Sequence, residues 1–263
     1  MHEFSNIKAL ILDMDGVLWR ADEPIGDLPA IFASIAERGL KVTLATNNST
    51  RTPADYIKKL AKFGVYLDEA QVLNSSLAAA ALLKEKFPAG GDVYVVGESG
   101  LVDALAAQGF TPFVGEEQPP APLAVVAGLD KGINYEKLTR ATLLIRAGVP
   151  YYATNPDKTF PTPHGQVPGA GTILAALTAA TDVEPIVAGK PEPYLFKLAM
   201  QRMGVLPEET LVVGDRLETD ILGGQNAGCK TALVLSGIST RERGEAWLPK
   251  VDMIVDELGE LVF

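Results

Sequence analysis

The sequence predicts an α/β protein, a parallel sheet with a second α/β domain. Three observations carry that prediction. Short aliphatic runs alternate with segments of helical period almost throughout the chain, the pattern of strand–helix–strand units. Polar residues follow directly on four of those runs, and in open α/β sheets the carboxyl ends of strands are where ligands bind. The 263 residues are 47% apolar and 21% charged, enough to bury a sizeable core as one large domain or two smaller ones.

The elements follow in order. Ala9-Leu10-Ile11-Leu12 is an aliphatic run of buried-strand length, and Gly16 permits a sharp exit from it. Leu28 to Arg38 carries apolar residues at helical spacing and stops at Gly39; Lys41 to Ala45 is a second strand closed by Thr46-Asn47-Asn48-Ser49. Pro53 opens a helix that stops at Gly64, and Ser75 or Ser76 caps an alanine-rich helix reaching Lys86. Next come strand 92–96, helix 101–108, strand 123–127, helix 135–147, strand 151–153 and helix 172–181. The chain resumes with strand 185–188, helix 194–203, strand 210–213, helix 219–227, strand 231–235 and a last strand at 251–255. Pro88-Ala89-Gly90-Gly91 and Thr181-Asp182-Val183-Glu184-Pro185 have the composition of boundaries. They bracket an inserted α/β domain, residues 80–182, between two halves of a core, residues 1–79 and 183–263.

Bulk chemistry narrows the function. The net charge of −10 argues against a nucleic-acid partner, which calls for a basic face. It leaves room for an anionic small molecule, because a local cation can reverse the field inside a cleft. The single cysteine, Cys229, excludes an intrachain disulfide and a thiolate metal cage, and reads as a small buried hydrophobe. There is no apolar run of membrane-spanning length and no leader pattern, so the expectation is a soluble, cytoplasmic chain without a membrane partner.

The four strand-end sites are Asp13 with Asp15, Thr46, Lys190, and Asp215 with Asp220. If their strands are parallel neighbours, all four converge on one sheet edge. An aspartate can attack phosphorus, splitting one hard step into two easier ones, and a second carboxyl can protonate the leaving oxygen and later deprotonate water. A hard cation, Mg²⁺, suits carboxylate, carbonyl and water ligands. Thr46 and the backbone N–H groups that follow it can hold a phosphoryl oxygen, and Lys190 can offset the shared negative charge.

Asp13-x-Asp15-Gly16, Thr46-Asn47-Asn48-Ser49, Gly189-Lys190-Pro191 and Gly214-Asp215 through Asp220 resemble the four motifs of the haloacid dehalogenase superfamily, in order and spacing. The Thr-Asn-Asn-Ser form, the Gly16-Val17-Leu18-Trp19 run and the position of the insert are similar to its 4-nitrophenylphosphatase, NagD-like branch, which carries a type II cap. The resemblance implies a Rossmann-like core, an α/β cap and a Mg²⁺-dependent phosphatase acting on a small phosphorylated metabolite through an aspartyl phosphate. Asp13 would be nucleophile and metal ligand. Asp15 would be general acid/base, with its carbonyl on the metal. Thr46, Asn47 and Asn48 would bind phosphate, Lys190 would steady the nucleophile, Asp215 would bind metal and Asp220 would support that shell. Related caps often pair, which would give a homo-oligomer. Two alternatives stand beside this reading: a phosphotransferase or phosphomutase on the same core, and a receiver-like phosphorylated signalling module.

Other residues read more plainly. Trp19 is expected to pack. In the insert, Asn155 and Asp157 are turn formers that the resemblance places near a cap–core cleft, as candidate substrate-binding residues. His164 reads as a solvated turn residue. Gly169-Ala170-Gly171 lacks the third glycine of a dinucleotide fingerprint and reads as a hinge or a tight helix start.

Overall fold

The structure is a computed structural model that describes residues 6–115, 121–162 and 165–262, with the side chains of 160–162 left aside. The chain divides into two compact units, residues 1–46, 53–73 and 190–263 forming the first and residues 47–52 and 74–189 the second.

The first unit is built on a six-stranded sheet. Its strands lie in the spatial order Met253–Val255, Lys230–Val234, Thr210–Gly214, Ala9–Leu12, Lys41–Thr46, Val72–Asn74. Ala9–Leu12 lies at its centre and pairs in parallel with Thr210–Gly214 on one side and Lys41–Thr46 on the other. All four of its residues are buried, as a central parallel strand requires. The chain departs from this strand to opposite sides, so the carboxyl end of Ala9–Leu12 is the topological switch point of the sheet. One face is covered by a cluster that includes Leu10, Leu12, Leu28, Ile31, Ile35 and Leu44. The Leu28–Glu37 helix supplies three of these. Asp27 caps it by accepting from the Ala30 amide at 3.1 Å, and it ends at Gly39 with φ +68°, a left-handed angle that glycine adopts without strain. A short hairpin, Trp19–Arg20 with Glu23–Pro24, follows the first strand.

The second unit has its own five-stranded sheet. Its order is Ile186–Val187, Tyr151–Ala153, Val125–Ala127, Gly91–Val96, Phe110–Val114, with every pair parallel. The Tyr135–Arg146 and Ala170–Thr181 helices pack on it through Ala141, Ile145, Ile173, Leu174 and Leu177. No helix among the described residues is long and apolar enough to cross a membrane.

Several elements depart from the sequence reading. The long segment of the second unit begins at Asn74, not at residue 80, because the Ser75–Lys86 helix packs on the Ser99–Ala107 helix. Asn74, not Ser75 or Ser76, caps that helix, its side chain accepting from the Leu77 amide at 2.9 Å. The two serines instead donate to the carbonyls of Asn47 and Ser49, which ties residues 47–52 to this unit. Pro88–Gly91 is a turn inside the second unit and not a boundary. The unit ends at Gly189, not at residue 182, because Ile186–Val187 pairs with Tyr152 and Ala153 of the second sheet. Phe110–Val114 is a strand that Pro112 hides from the sequence pattern; it lies at the sheet edge, where a missing N–H is tolerated. The Thr159–Thr162 and Gly165–Pro168 hairpin was masked by prolines in the same way. Gly169-Ala170-Gly171 starts the Ala170–Thr181 helix. A Cβ on Gly169 or Gly171 would lie 2.3 or 2.2 Å from the backbone oxygens of Asp157 or Pro156, so close packing fixes both glycines.

Asp252 stitches the last strand to the sheet. Its carboxylate accepts from the Thr231 amide at 2.9 Å, the Thr231 hydroxyl at 3.1 Å and Lys230 Nζ at 2.7 Å. Partial burial alone would raise its pKa; the Lys230 and Thr231 hydrogen bonds override this and hold it below the usual carboxylate range. A depressed folded-state pKa gives stability that is present above the unfolded value and lost as pH falls through the folded one. Asp252→Ala should therefore cost about 1 kcal/mol at neutral pH after allowance for solvent screening, a drop of a few degrees in melting temperature. Melting curves of the two proteins should converge as pH falls below the usual carboxylate range; a difference that persists there would show that the contribution is not ionic.

Candidate active site

The site of the first unit is assembled at the carboxyl ends of adjacent strands. Asp13 follows Ala9–Leu12, and its amide donates to Val213 O at 2.9 Å, which holds it in line with the neighbouring strand. Asp215 follows Thr210–Gly214. A π-turn over Leu217–Ile221 comes next, and it returns Asp220 toward the strand end. Oxygens of Asp13, Asp215 and Asp220 lie within 4.8 Å of one another.

Lys190 is the counter-charge. Its Nζ donates to Asp13 Oδ1 and Asp220 Oδ1 at 2.6 Å each and to Ala45 O at 3.1 Å. Its side chain is 4% exposed and that of Asp220 2%. Burial by itself would lower the pKa of this ammonium; the two carboxylates outweigh it and hold the pKa above its usual value. Burial pushes Asp13 well above the carboxylate range, with Asp220 and Asp215 adding to the rise and Lys190 opposing it. Burial, reinforced by Asp220, pushes Asp215 to about 6. Two buried acids and one partly buried acid share this ammonium, and a further cation would offset the burial and mutual repulsion that raise Asp13 and Asp215.

Glycines make room for this packing. A Cβ on Gly237 would fall 2.0 Å from Asp215 Oδ2, one on Gly16 2.6 Å from the same atom, and one on Gly214 2.1 Å from the Asp220 Cβ. The 236–239 loop, after the Lys230–Val234 strand, was missed in the sequence reading. It holds Asp215 through the Ile238 amide on Oδ2 at 2.8 Å and the Ser239 amide on the carbonyl at 3.0 Å. Ser236 donates to Gly16 O at 2.6 Å. The signal was available: Ser236-Gly237 follows an apolar strand, as the other strand-end motifs do.

These residues fit a hard cation. The donor set is all oxygen. Lys190 engages one oxygen of Asp13 and the Ile238 amide one oxygen of Asp215, so each keeps a second to offer. Asp220 is more fully occupied, with Oδ1 on Lys190 and Oδ2 accepting from the Arg216 amide at 3.1 Å. The Asp15 side chain is outside the cluster. It is exposed, and Oδ1 accepts from Trp19 Nε1 at 2.8 Å.

Comparison with known proteins gives this architecture its family. Residues 10–111 match the family described as haloacid dehalogenase-like hydrolase, and residues 187–261 match a second, HAD-hydrolase-like family. The 5'-nucleotidase YutF of Bacillus subtilis is 36% identical over 255 residues, which make up 97% of each chain. The chain belongs to the haloacid dehalogenase-like hydrolases. It is an enzyme, a phosphatase of that family. The solved 4-nitrophenylphosphatase of Thermotoga maritima matches with a TM-score of 0.91 at 35% identity, covering 100% of this chain and 98% of that one. The glycerol phosphate phosphatase of Mycobacterium tuberculosis, solved in complex with magnesium, matches with a TM-score of 0.88 at 32% identity, covering 99% of this chain and 79% of that one.

In this haloacid dehalogenase-like hydrolase, the residues singled out from sequence separate by unit. The first unit brings together Asp13, Lys190, Asp215 and Asp220, with Asp15 beside them. Thr46 is buried at the end of the Lys41–Thr46 strand, one residue past the carbonyl that Lys190 engages. Lys190 does not come from a strand of this sheet, as the sequence reading expects. Ile186–Val187 belongs to the second sheet, and Lys190 is the first residue of the chain's return. Asn47, Asn48, Asn155 and Asp157 belong to the second unit. Asn48 Oδ1 accepts from the Thr50 amide and hydroxyl at 3.0 and 2.7 Å, shaping its own turn. Asn155 is buried; Thr154 Oγ1 donates to its Oδ1 at 2.9 Å, and its Nδ2 donates to Asp157 Oδ2 at 3.0 Å. His164 lies outside the described residues.

Gly237→Ala tests the packing argument. The added Cβ would meet Asp215 first, 2.0 Å from Oδ2 and 2.3 Å from Cβ. Activity toward 4-nitrophenyl phosphate should fall about 10–100-fold with an unchanged circular dichroism spectrum. Full activity would show that Asp215 need not stand where it does.

Proposed function

We propose that this phosphatase hydrolyses small phosphate monoesters with a bound Mg²⁺ and an aspartyl-phosphate intermediate on Asp13. The observation that carries the reading is the pairing of a partly buried, lysine-bound carboxylate, Asp13, with an exposed one two residues later, Asp15. A nucleophile benefits from a fixed position, and an acid/base needs access to a leaving group and to water.

Asp13 attacks phosphorus with its carboxylate. Asp15 gives its proton to the departing ester oxygen, then takes one from the water that releases phosphate. Lys190 holds Asp13 in place and offsets the charge that gathers as the phosphoryl group approaches. Thr46 and the Asn47 amide hold phosphoryl oxygens. Asp13, the Asp15 carbonyl and Asp215 would hold the cation, with Asp220 keeping Lys190 in place. When bound, the cation draws negative charge from the phosphoryl group, in a reaction whose uncatalysed rate is among the slowest known.

The substrate is a small phosphorylated metabolite. The relatives act, by their names, on nucleotides, 4-nitrophenyl phosphate and glycerol phosphate, so the ester moiety varies while the transferred group does not. The second unit is the proposed cap, and Asp157 is its proposed substrate-reading residue together with Asn155. Phosphotransfer is the remaining alternative on this core, and the balance of released phosphate against phosphorylated acceptor separates the two.

Asp13→Asn should lower turnover at least about 10³-fold while the protein still melts cooperatively. Mass spectrometry of rapidly quenched wild-type enzyme should find one phosphoryl group on the peptide carrying Asp13. A phosphoryl group elsewhere, or near-normal turnover by Asp13→Asn, would overturn the mechanism. EDTA should remove activity and Mg²⁺ restore it, with Ca²⁺ a poor substitute because its larger, looser shell misplaces nucleophile and phosphate. Full activity in EDTA would remove the metal from the account.

A further inference from the structure

We infer that Trp19 is a positioning residue for Asp15, and that its indole N–H decides which Asp15 oxygen carries the transferable proton. The inference rests on the reading of Asp15 as general acid/base and deepens it.

The two side chains differ sharply in their freedom. Asp15 is exposed, and an exposed carboxylate samples several rotamers. Trp19 is 1% exposed. Its ring stacks on Tyr56 at 6.5 Å between centroids and 16° between planes, and Phe63 lies 6.1 Å away. The backbone adds a second tie, with the Gly16 amide donating to Trp19 O at 2.8 Å. Trp19 Nε1 then donates to Asp15 Oδ1 at 2.8 Å. The mobile acid is thereby anchored to one of the least mobile side chains of the unit.

The chemistry of the donor carries the argument further. An indole N–H only donates. Oδ1 is therefore an acceptor whether Asp15 is protonated or not, and the proton that moves sits on Oδ2. In the first step the Asp13–phosphorus bond forms, the ester P–O bond breaks, and the Oδ2 proton goes to the leaving oxygen. In the second, water oxygen bonds to phosphorus, the Asp13–phosphorus bond breaks, and the water proton goes to Oδ2. Lys59 Nζ lies 4.4 Å from the Trp19 ring centroid. A cation on the ring face draws electron density from the indole and strengthens its N–H as a donor.

The test is a leaving-group series, from 4-nitrophenyl phosphate to alkyl phosphates, run on wild type, Trp19→Phe, Asp15→Asn and the double variant. Trp19→Phe keeps an aromatic ring in the cluster and removes the donor together with part of the ring volume. Its kcat should fall about 10-fold for alkyl esters and less than about 3-fold for phosphorylation by 4-nitrophenyl phosphate, which departs without a proton. KM should stay unchanged, and the dependence of rate on leaving-group basicity should steepen. In the Asp15→Asn background, Trp19→Phe should have no further effect. If Trp19→Phe unfolds the protein, benzothienylalanine at position 19 keeps the shape and lacks the N–H, and the same outcome is expected of it. Two results would overturn the inference: a series indistinguishable from wild type while Asp15→Asn steepens, or an equal loss with and without Asp15. An Asp15→Asn series without leaving-group dependence would instead defeat the acid/base reading, and this inference with it.

Discussion

Everything in the first unit turns on a single buried ammonium. Lys190 stands between Asp13 and Asp220 at 2.6 Å from each, and removing one partner from such a pair costs about 3–5 kcal/mol, because the charge left behind stays out of water. The pair is therefore a constraint on the chain as well as a contact. It requires the end of the first strand, the end of Lys41–Thr46, the return from the second unit and the π-turn after Asp215 to meet at one point. A fold that misplaced any one of them would bury an unpaired charge.

That constraint also sets the backbone. Carboxylates packed within 4.8 Å of one another leave no room for a Cβ at three positions around them. Gly16, Gly214 and Gly237 lie where a Cβ would strike Asp215 or Asp220. At Gly16 a second demand coincides, since its φ of +89° is a conformation that other residues adopt only under strain. The glycines and the acids are one design. The acids provide the negative field, and the glycines let the strand ends approach closely enough to concentrate it.

Much of this was legible in the sequence because its logic is local. An aliphatic run followed by a polar residue marks a strand end, and Asp13, Thr46 and Asp215 were found that way. Lys190 was found by the same pattern for a different reason. Ile186–Val187 does look like a strand, but its partner is Tyr151–Ala153 of the second sheet, and pairing across the chain is not written in a two-residue run. The boundaries at 80 and 182 failed for a related reason. Pro and Gly mark turns, whereas a unit ends where contacts end, and the helix of Ser75–Lys86 and the strand of Ile186–Val187 each make theirs inside the second unit. The sequence also does not show that Asn48 and Asn155 make local hydrogen bonds with Thr50, Thr154 and Asp157. Hydrogen-bond satisfaction is a tertiary property that residue type alone does not disclose.

Two aspartates separated by one residue end in opposite environments, and the geometry of the strand end is the cause. Asp13 continues the line of the sheet, so its side chain enters the buried cluster, with its carboxyl 12% exposed. Asp15 lies beyond the turn that Gly16 permits, where Met14 O accepts from the amides of Val17, Leu18 and Trp19. That turn puts Asp15 in solvent and Trp19 in the core, four residues apart and hydrogen-bonded. Identical carboxyl groups acquire different roles from their surroundings. The hydrogen bond from Lys190 fixes the first in position and opposes the burial that would neutralise it. The second stands exposed, and one indole N–H supplies the order that solvent would otherwise remove. The Asp13-Met14-Asp15-Gly16-Val17-Leu18-Trp19 segment thus acts as a whole, its apolar residues serving as the lever that sends the two acids to different sides of the same surface.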